Sequence, residues 1–177
     1  MKKFVIIIIF FLGIGIYLLS QDNKNVKWYT FEEAVELAKK NPKKLFIDVY
    51  TDWCGWCKVM DRNTFEHPVI STYLNENFYP VKFNAESTKP VKFSGKTFIN
   101  EGTGLQRNPH QLAIALLQGQ MAYPSVAYMN EDLQLLTAVP GYFTPEELEP
   151  IIKFFGENSY KKISYEEFRK NFVSQIK

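Results

Sequence analysis

The sequence predicts an α/β domain: a mixed central sheet flanked by helices, with an insertion before the third main helix. Three observations carry that expectation. Two short apolar runs, Leu45 to Tyr50 and Phe78 to Phe83, are separated by helical segments, the pattern of a parallel β–α–β unit. Two further runs, Ser125 to Met129 and Leu133 to Val139, are joined by Asn130-Glu131-Asp132, the pattern of an antiparallel hairpin. Helices marked by Ser/Thr-x-x-Glu capping boxes stand on both sides of these strands.

Residues 1–20 read as a targeting segment. Lys2-Lys3 precede an apolar run from Phe4 to Leu19 whose only polar side-chain group is the Tyr17 hydroxyl, and Ser20 offers a small residue before Gln21. The run is between a signal h-region and a spanning helix in length, so a cleaved signal peptide and a retained anchor through residues 4–19 both fit. Either places residues 21–177 outside the cytoplasm, periplasmic or otherwise extracytoplasmic.

Along that domain, Thr30-Phe31-Glu32-Glu33 is a capping box, Phe31, Ala34, Val35 and Ala38 recur at helical spacing, and Asn41-Pro42 stops the helix. Leu45 to Tyr50, apolar apart from Asp48, reads as a buried central strand. Cys54 to Asn63 and His67 to Asn77 read as helices and Phe78 to Phe83 as the second strand. Residues 87–108 have no sustained period and form an excursion, with a small hairpin around Ser94-Gly95. Asn108-Pro109 supplies an N-cap and first helical position. Leu112, Ala115 and Leu116 then make the core stripe, and Gly119 ends that helix. After the hairpin, Thr144-Pro145-Glu146-Glu147 opens a helix with Leu148, Ile151, Ile152 and Phe155 on its apolar face. Ser164-Tyr165-Glu166-Glu167 repeats the device in a C-terminal extension at about 157–177.

Composition narrows the function. The chain of 177 residues is 46% hydrophobic and 16% aromatic, enough for one real core. Lys2 and Lys3 are the only charges before Asp22, so residues 21–177 balance to zero and nothing argues for nucleic acid. The two cysteines are three residues apart. So short a loop removes little entropy from the unfolded chain, so chemistry explains the pair better than stability.

Trp53-Cys54-Gly55-Trp56-Cys57-Lys58 lies at the end of a strand and the start of a helix. Residues three apart share a helix face, so the two sulfurs can bond. Free amides and the dipole at a helix start favour thiolate on the first cysteine. Cys54 is therefore expected as the exposed attacking thiol, and Cys57 as the resolving one. His67 and His110 could complete a Cys₂His₂ set on paper, but neither belongs to a ligand-spaced pair, and no metal is expected. Lys58 reads as a solvated helix residue.

These residues resemble the active site of the thioredoxin superfamily, with closest likeness to exported proteins reading W-C-x-W-C-K-x-M. The likeness continues through Phe65, Val69 to Asn75 with the spacing off by one place, and Phe78 to Lys82, and covers about residues 26–156. It implies a thioredoxin fold and a thiol–disulfide oxidoreductase, with the Cys54/Cys57 pair as redox centre and no other cofactor. It also implies that Asp48 lies beneath the disulfide and accepts the proton of Cys57; a strand-edge Asp bonded to backbone is the plainer alternative. Tyr123-Pro124 matches the family's cis-proline, and Gly141 the glycine that leaves room for a substrate strand, although an ordinary turn glycine fits equally. Trp53, Trp56 and Tyr123 are expected as an apolar collar for extended substrates, unless Trp53 is half core.

Partners implied are protein thiols and disulfides with an unidentified electron donor or acceptor. The Gly-Trp dipeptide between the cysteines, Arg62 where many thioredoxins have a kinking proline, and the excursion depart from the family pattern. Asp48 favours reductase or isomerase over oxidase, with a potential of roughly −180 to −270 mV. The rival class is a thioredoxin-fold chaperone or assembly module without redox turnover.

Overall fold

Thr30 opens the first helix with a full capping box: its hydroxyl accepts from the Glu33 N–H at 3.3 Å, and the Glu33 carboxylate accepts from the Thr30 N–H at 2.9 Å. Helix α1 (Phe31–Lys40) buries Phe31, Ala34, Val35 and Ala38, and ends where the Asn41 N–H returns to Leu37 O. The structure, a computed structural model, describes residues 25–102 and 107–177; the expected leader and Gly104 lie outside the described residues.

Strand β1 (Lys44–Tyr50) is buried along all but its last residue, as its apolar run requires. It pairs in parallel with β2 (Phe78–Asn84) and antiparallel with β5 (Ser125–Met129), which pairs antiparallel with β6 (Leu135–Pro140). The four-stranded order is β2-β1-β5-β6, the expected mixed sheet. Strand β6 begins two residues later than the sequence suggested. Leu133 sits at φ 59° in a turn extended by Asn130, whose side chain accepts from the Asp132 and Gln134 amides.

The crossover from β1 to β2 carries α2 (Gly55–Met60) and α3 (Pro68–Asn77). The helix expected from Cys54 to Asn63 changes character partway, because Asp61–Phe65 is a π-helix. The wider turn lets Thr64 and Phe65 both face inward. Thr64 donates to Phe143 O at 2.6 Å, and Phe65 sets its edge against Trp28 and Phe46.

Within the excursion, β3 (Val91–Phe93) and β4 (Lys96–Phe98) form the expected hairpin, turning through Ser94 and Gly95 at φ 49° and 74°. Phe93 packs on Phe31 of α1. Helix α4 (Gln111–Leu116) starts two residues after the expected Pro109. His110 is the cap instead: its Nδ1 accepts from the Leu112 N–H at 3.0 Å, and its own N–H is tied to Ala85 O. Helix α5 (Pro145–Gly156) follows β6 with a second full capping box at Thr144. The short α6 (Tyr165–Lys170) has only half of one, since Ser164 accepts from the Glu167 N–H without a return bond.

Alternation along the strands separates two cores. Leu45, Ile47 and Val49 face α1 and α4, whereas Phe46, Val126 and Tyr128 face α3 and α5. Asp48, in phase with Phe46, is directed to the second side, where Met60 of α2 is also buried. The aromatic residues Tyr165 and Phe168 of α6 pack against that second core.

Candidate active site

Strand β1 hands over to α2 through Thr51–Cys54, and the cysteines stand at that junction. The Cys54 N–H donates to Thr51 O at 3.1 Å, which closes a turn and makes Cys54 the N-cap of α2. Its Sγ accepts from the Cys57 N–H at 3.1 Å. The two sulfurs form a disulfide with Cα atoms 5.3 Å apart. An amide donor on Cys54 Sγ, together with the free N–H groups of the helix start, stabilises negative charge on that sulfur once the bond opens.

Cys54 is not the exposed group expected of it: the residue is only 4% exposed, and Cys57 2%. Trp56, from between the two cysteines, lines a groove of about 280 Å³ together with Tyr123, Pro124, Gly141 and Tyr142. The Tyr123–Pro124 bond is cis. Gly141 lies at φ 112°, a conformation that side chains resist, and the space beside it is open. Trp56, 63% exposed, leans on Tyr142 with ring centres 5.2 Å apart. Trp53, 48% exposed, packs against neither core, and its edge meets Tyr123 at 6.0 Å. Trp56 and Tyr123 thus line the groove with Tyr142, and Trp53 stands beside it against Tyr123.

Asp48 is 1% exposed. It is not bonded to backbone: its Oδ2 accepts from Lys82 Nζ at 2.5 Å, and its Oδ1 has no partner. Burial pushes its carboxyl up to about 6, with Lys82 pulling it back and the charge of Asp61 adding to the rise. Lys82 is shared, because Asp61 of the π-helix accepts from the same ammonium. Burial alone would push Lys82 down, but the two carboxylates outweigh it and hold it above its ordinary value. The rings of Trp28, Tyr50 and Phe65 surround the ammonium at 4.9–5.4 Å. A separate groove of about 340 Å³, lined by Trp28, Asp61, Phe65, Glu66 and Lys82 among others, opens this cluster to water.

Lys82 had a signal in the sequence. A carboxylate in a buried strand needs a cation, and in the parallel register Lys82 stands directly opposite Asp48. Lys58 is exposed, as read. His110 has both ring nitrogens engaged, Nδ1 with the Leu112 amide and Nε2 with Lys89 O, whereas His67 holds the N-cap position of α3 without a side-chain bond there and its buried Nδ1 has no partner. Among the described residues no cluster of three or more metal-ligating side chains occurs, and no helix is long and apolar enough to cross a membrane.

Known proteins share this architecture. The solved structure of the oxidoreductase DsbH superposes with a TM-score of 0.53 at 16% identity, covering 75% of this chain and 85% of that one. A Thermus thermophilus thioredoxin gives 0.55 at 13%, covering 85% and 99%. A Bacteroides thetaiotaomicron protein provisionally described as a disulphide-isomerase gives 0.51 at 25%, covering 76% and 95%. An uncharacterized Caenorhabditis elegans protein, B0495.5, is 27% identical over 139 residues, and rat spermatogenesis-associated protein 20 is 36% identical over 84. The aligned parts are 78% and 47% of this chain but only 17% and 11% of those two proteins. A 45-residue stretch, a quarter of the chain, is 33% identical to 8% of the Vibrio vulnificus thiol:disulfide interchange protein DsbD. The fold is thus the thioredoxin fold, and its Cys-x-x-Cys disulfide supports a thiol–disulfide oxidoreductase role. Residues 14–171 match the model of Thioredox_DsbH, described as a protein of unknown function, DUF255, and the chain belongs to that thioredoxin-like family.

Proposed function

We propose that the chain exchanges disulfides with polypeptide substrates, running by preference as a reductase or isomerase. The carrying observation is the Cys54–Cys57 disulfide at the start of α2, with the Cys57 N–H on Cys54 Sγ. In the reduced state, Cys54 thiolate attacks a substrate disulfide. A Cys54–substrate bond forms, and the first substrate sulfur leaves as thiolate. Cys57 then gives its proton to ionised Asp48 and attacks Cys54 Sγ, which closes the intramolecular disulfide and releases the second substrate sulfur. The substrate gains two electrons, the chain loses two, and an external dithiol restores them; the reverse sequence oxidises.

A carboxyl pushed up to about 6 suits Asp48 to this exchange near neutral pH. The redox-active pair itself serves as the cofactor. Trp53, Trp56, Tyr123, Pro124 and Gly141 would seat an extended substrate strand across the groove. The leader-like residues 1–20 support an extracytoplasmic site of action.

Reduction of insulin disulfides in the presence of a dithiol tests the reading. Turnover should vanish in Cys54→Ser, and Cys57→Ser should accumulate mixed disulfides visible on non-reducing gels. Turnover that survives Cys54→Ser refutes it. The exposure of Trp56 favours one rival, a client-binding module, in which Cys54→Ser keeps full binding and the parent chain never turns over.

A further inference from the structure

The two tryptophans at the groove are held differently, Trp56 in its lining and Trp53 beside it against Tyr123. Trp56 has its ring contact with Tyr142 and stands otherwise open. Trp53 is also about half exposed, so burial does not hold it, yet it is held from three sides. Its Nε1–H donates to Glu86 Oε1 at 2.9 Å, the Arg107 guanidinium lies 4.5 Å from its ring centre, and Tyr123 meets its edge. Glu86 and Arg107 come from opposite ends of the excursion between β2 and α4.

That excursion is itself cross-braced. Asn100 Nδ2 donates to both Glu86 O at 3.2 Å and Asn108 O at 2.8 Å, and the His110 N–H ties back to Ala85 O at 2.6 Å. Ile99 and Gln111 exchange a second pair of bonds, and Gln111 reaches Glu101. Glu86 is therefore the joint: its carbonyl belongs to the brace and its carboxylate to Trp53. A half-exposed indole left to itself samples several rotamers, and a ligand that packs on it must first order it. Fixing the ring in advance removes that cost from binding.

We propose that residues 85–102 and 107–111 form a specificity arm that presets Trp53 as a fixed wall beside the substrate groove, with Glu86 and Arg107 as its positioning residues. The inference rests on the exchange reaction proposed above and names its substrate class. The favoured substrate is a polypeptide disulfide whose chain lies extended past Trp53 and Tyr123, rather than a small soluble disulfide that reaches the sulfur without spanning that wall. Trp56, untethered, adapts to the side chains that follow.

The test uses the full chain, reduced, and compares second-order rate constants for insulin and for glutathione disulfide. Glu86→Ala should lower the insulin-to-glutathione ratio about tenfold, through loss of a hydrogen bond to a charged acceptor. Arg107→Ala should lower it about threefold, the size of an exposed cation–π contact. Glu86→Gln, whose amide oxygen still accepts the indole N–H, should restore most of the ratio. A ratio unchanged in both alanine variants overturns the arm, as does a parallel fall of both rate constants, which would mark a general structural or redox effect. A parent chain inert toward both disulfides would refute the exchange reaction itself, a result that no arm variant can produce.

Discussion

Asp48 in β1 and Glu149 in α5 are both fully buried, and each is bonded to a lysine, yet they end in opposite states. Both oxygens of Glu149 are filled. Lys153 Nζ donates at 3.1 Å, the Gln175 N–H reaches both oxygens, and the Ser174 hydroxyl donates to Oε2. Burial pushes this carboxyl up, but the bonds from Ser174, Gln175 and Lys153 outweigh it and hold it below the ordinary range. Asp48 has one donor, shared with Asp61, and an empty Oδ1, so burial wins and its carboxyl rises to about 6. Burial alone does not decide what a carboxylate becomes. A complete donor set makes a fixed charge, here one that holds Ser174 and Gln175, and an incomplete one makes a group that can carry a proton.

The sharpest break of this contrast is Glu149→Gln. It leaves Lys153 without its counter-charge inside the fold and should cost about 3–5 kcal/mol at pH 7 in urea unfolding. Because the folded carboxyl lies below the unfolded one, the stabilisation is present above the unfolded value and is lost as pH falls through the folded value. The difference between parent and variant should therefore shrink on acidification. A constant difference would show packing, not charge, at work.

Asp48→Asn should act with the opposite sign. A folded value near 6 against an ordinary 3.8 means that Asp48 favours the folded state fully below 3.8, and that this is lost as pH rises through about 6. The loss amounts to about 3 kcal/mol. Asparagine has no proton to lose, so the variant should gain on the parent by up to that amount between pH 4 and 7. Its release of product from mixed disulfides should meanwhile slow by about 10²-fold at pH 7. A variant less stable than the parent above pH 6 would place Asp48 beside Glu149 as a structural charge.

Which of these groups could be read without the structure follows from how far apart their partners lie. The strands, the capped helices and the Cys54–Cys57 pair are local patterns of period, cap and spacing, and they stand where the sequence placed them, apart from the shifted starts of α4 and β6, the half-formed cap at Ser164 and the π-helix that replaces the end of the expected Cys54–Asn63 helix. Asp48 was legible as an anomaly, one acid in an apolar strand. Its partners were not, because Lys82 depends on the β1–β2 register and Asp61 on a π-helix that no local propensity announces. For Glu149 only Lys153, one helical turn on, is visible locally; the donors that complete its set, Ser174 and Gln175, lie 25 and 26 residues further on. The burial of Cys54 is likewise not legible locally, because a helix start taken by itself is open to solvent.

The smallest expected effect separates the two carboxylates on Lys82. Asp61 is half open to water and touches Asp48 only through the shared ammonium and through its charge. Asp61→Asn removes a repulsion that raises Asp48 and returns the full Lys82 charge to it, and both changes favour ionised Asp48. The pH midpoint of product release should therefore move down by a fraction of a pH unit, while the plateau at high pH stays within about twofold, since no proton-transfer group has been lost. A titration of the Asp48 carboxyl by carbon NMR should follow the same direction. An upward move would mean that Asp61 had been supporting the Asp48 charge by orienting Lys82 toward it, and the cluster would then resemble the filled site around Glu149 more closely than its geometry implies.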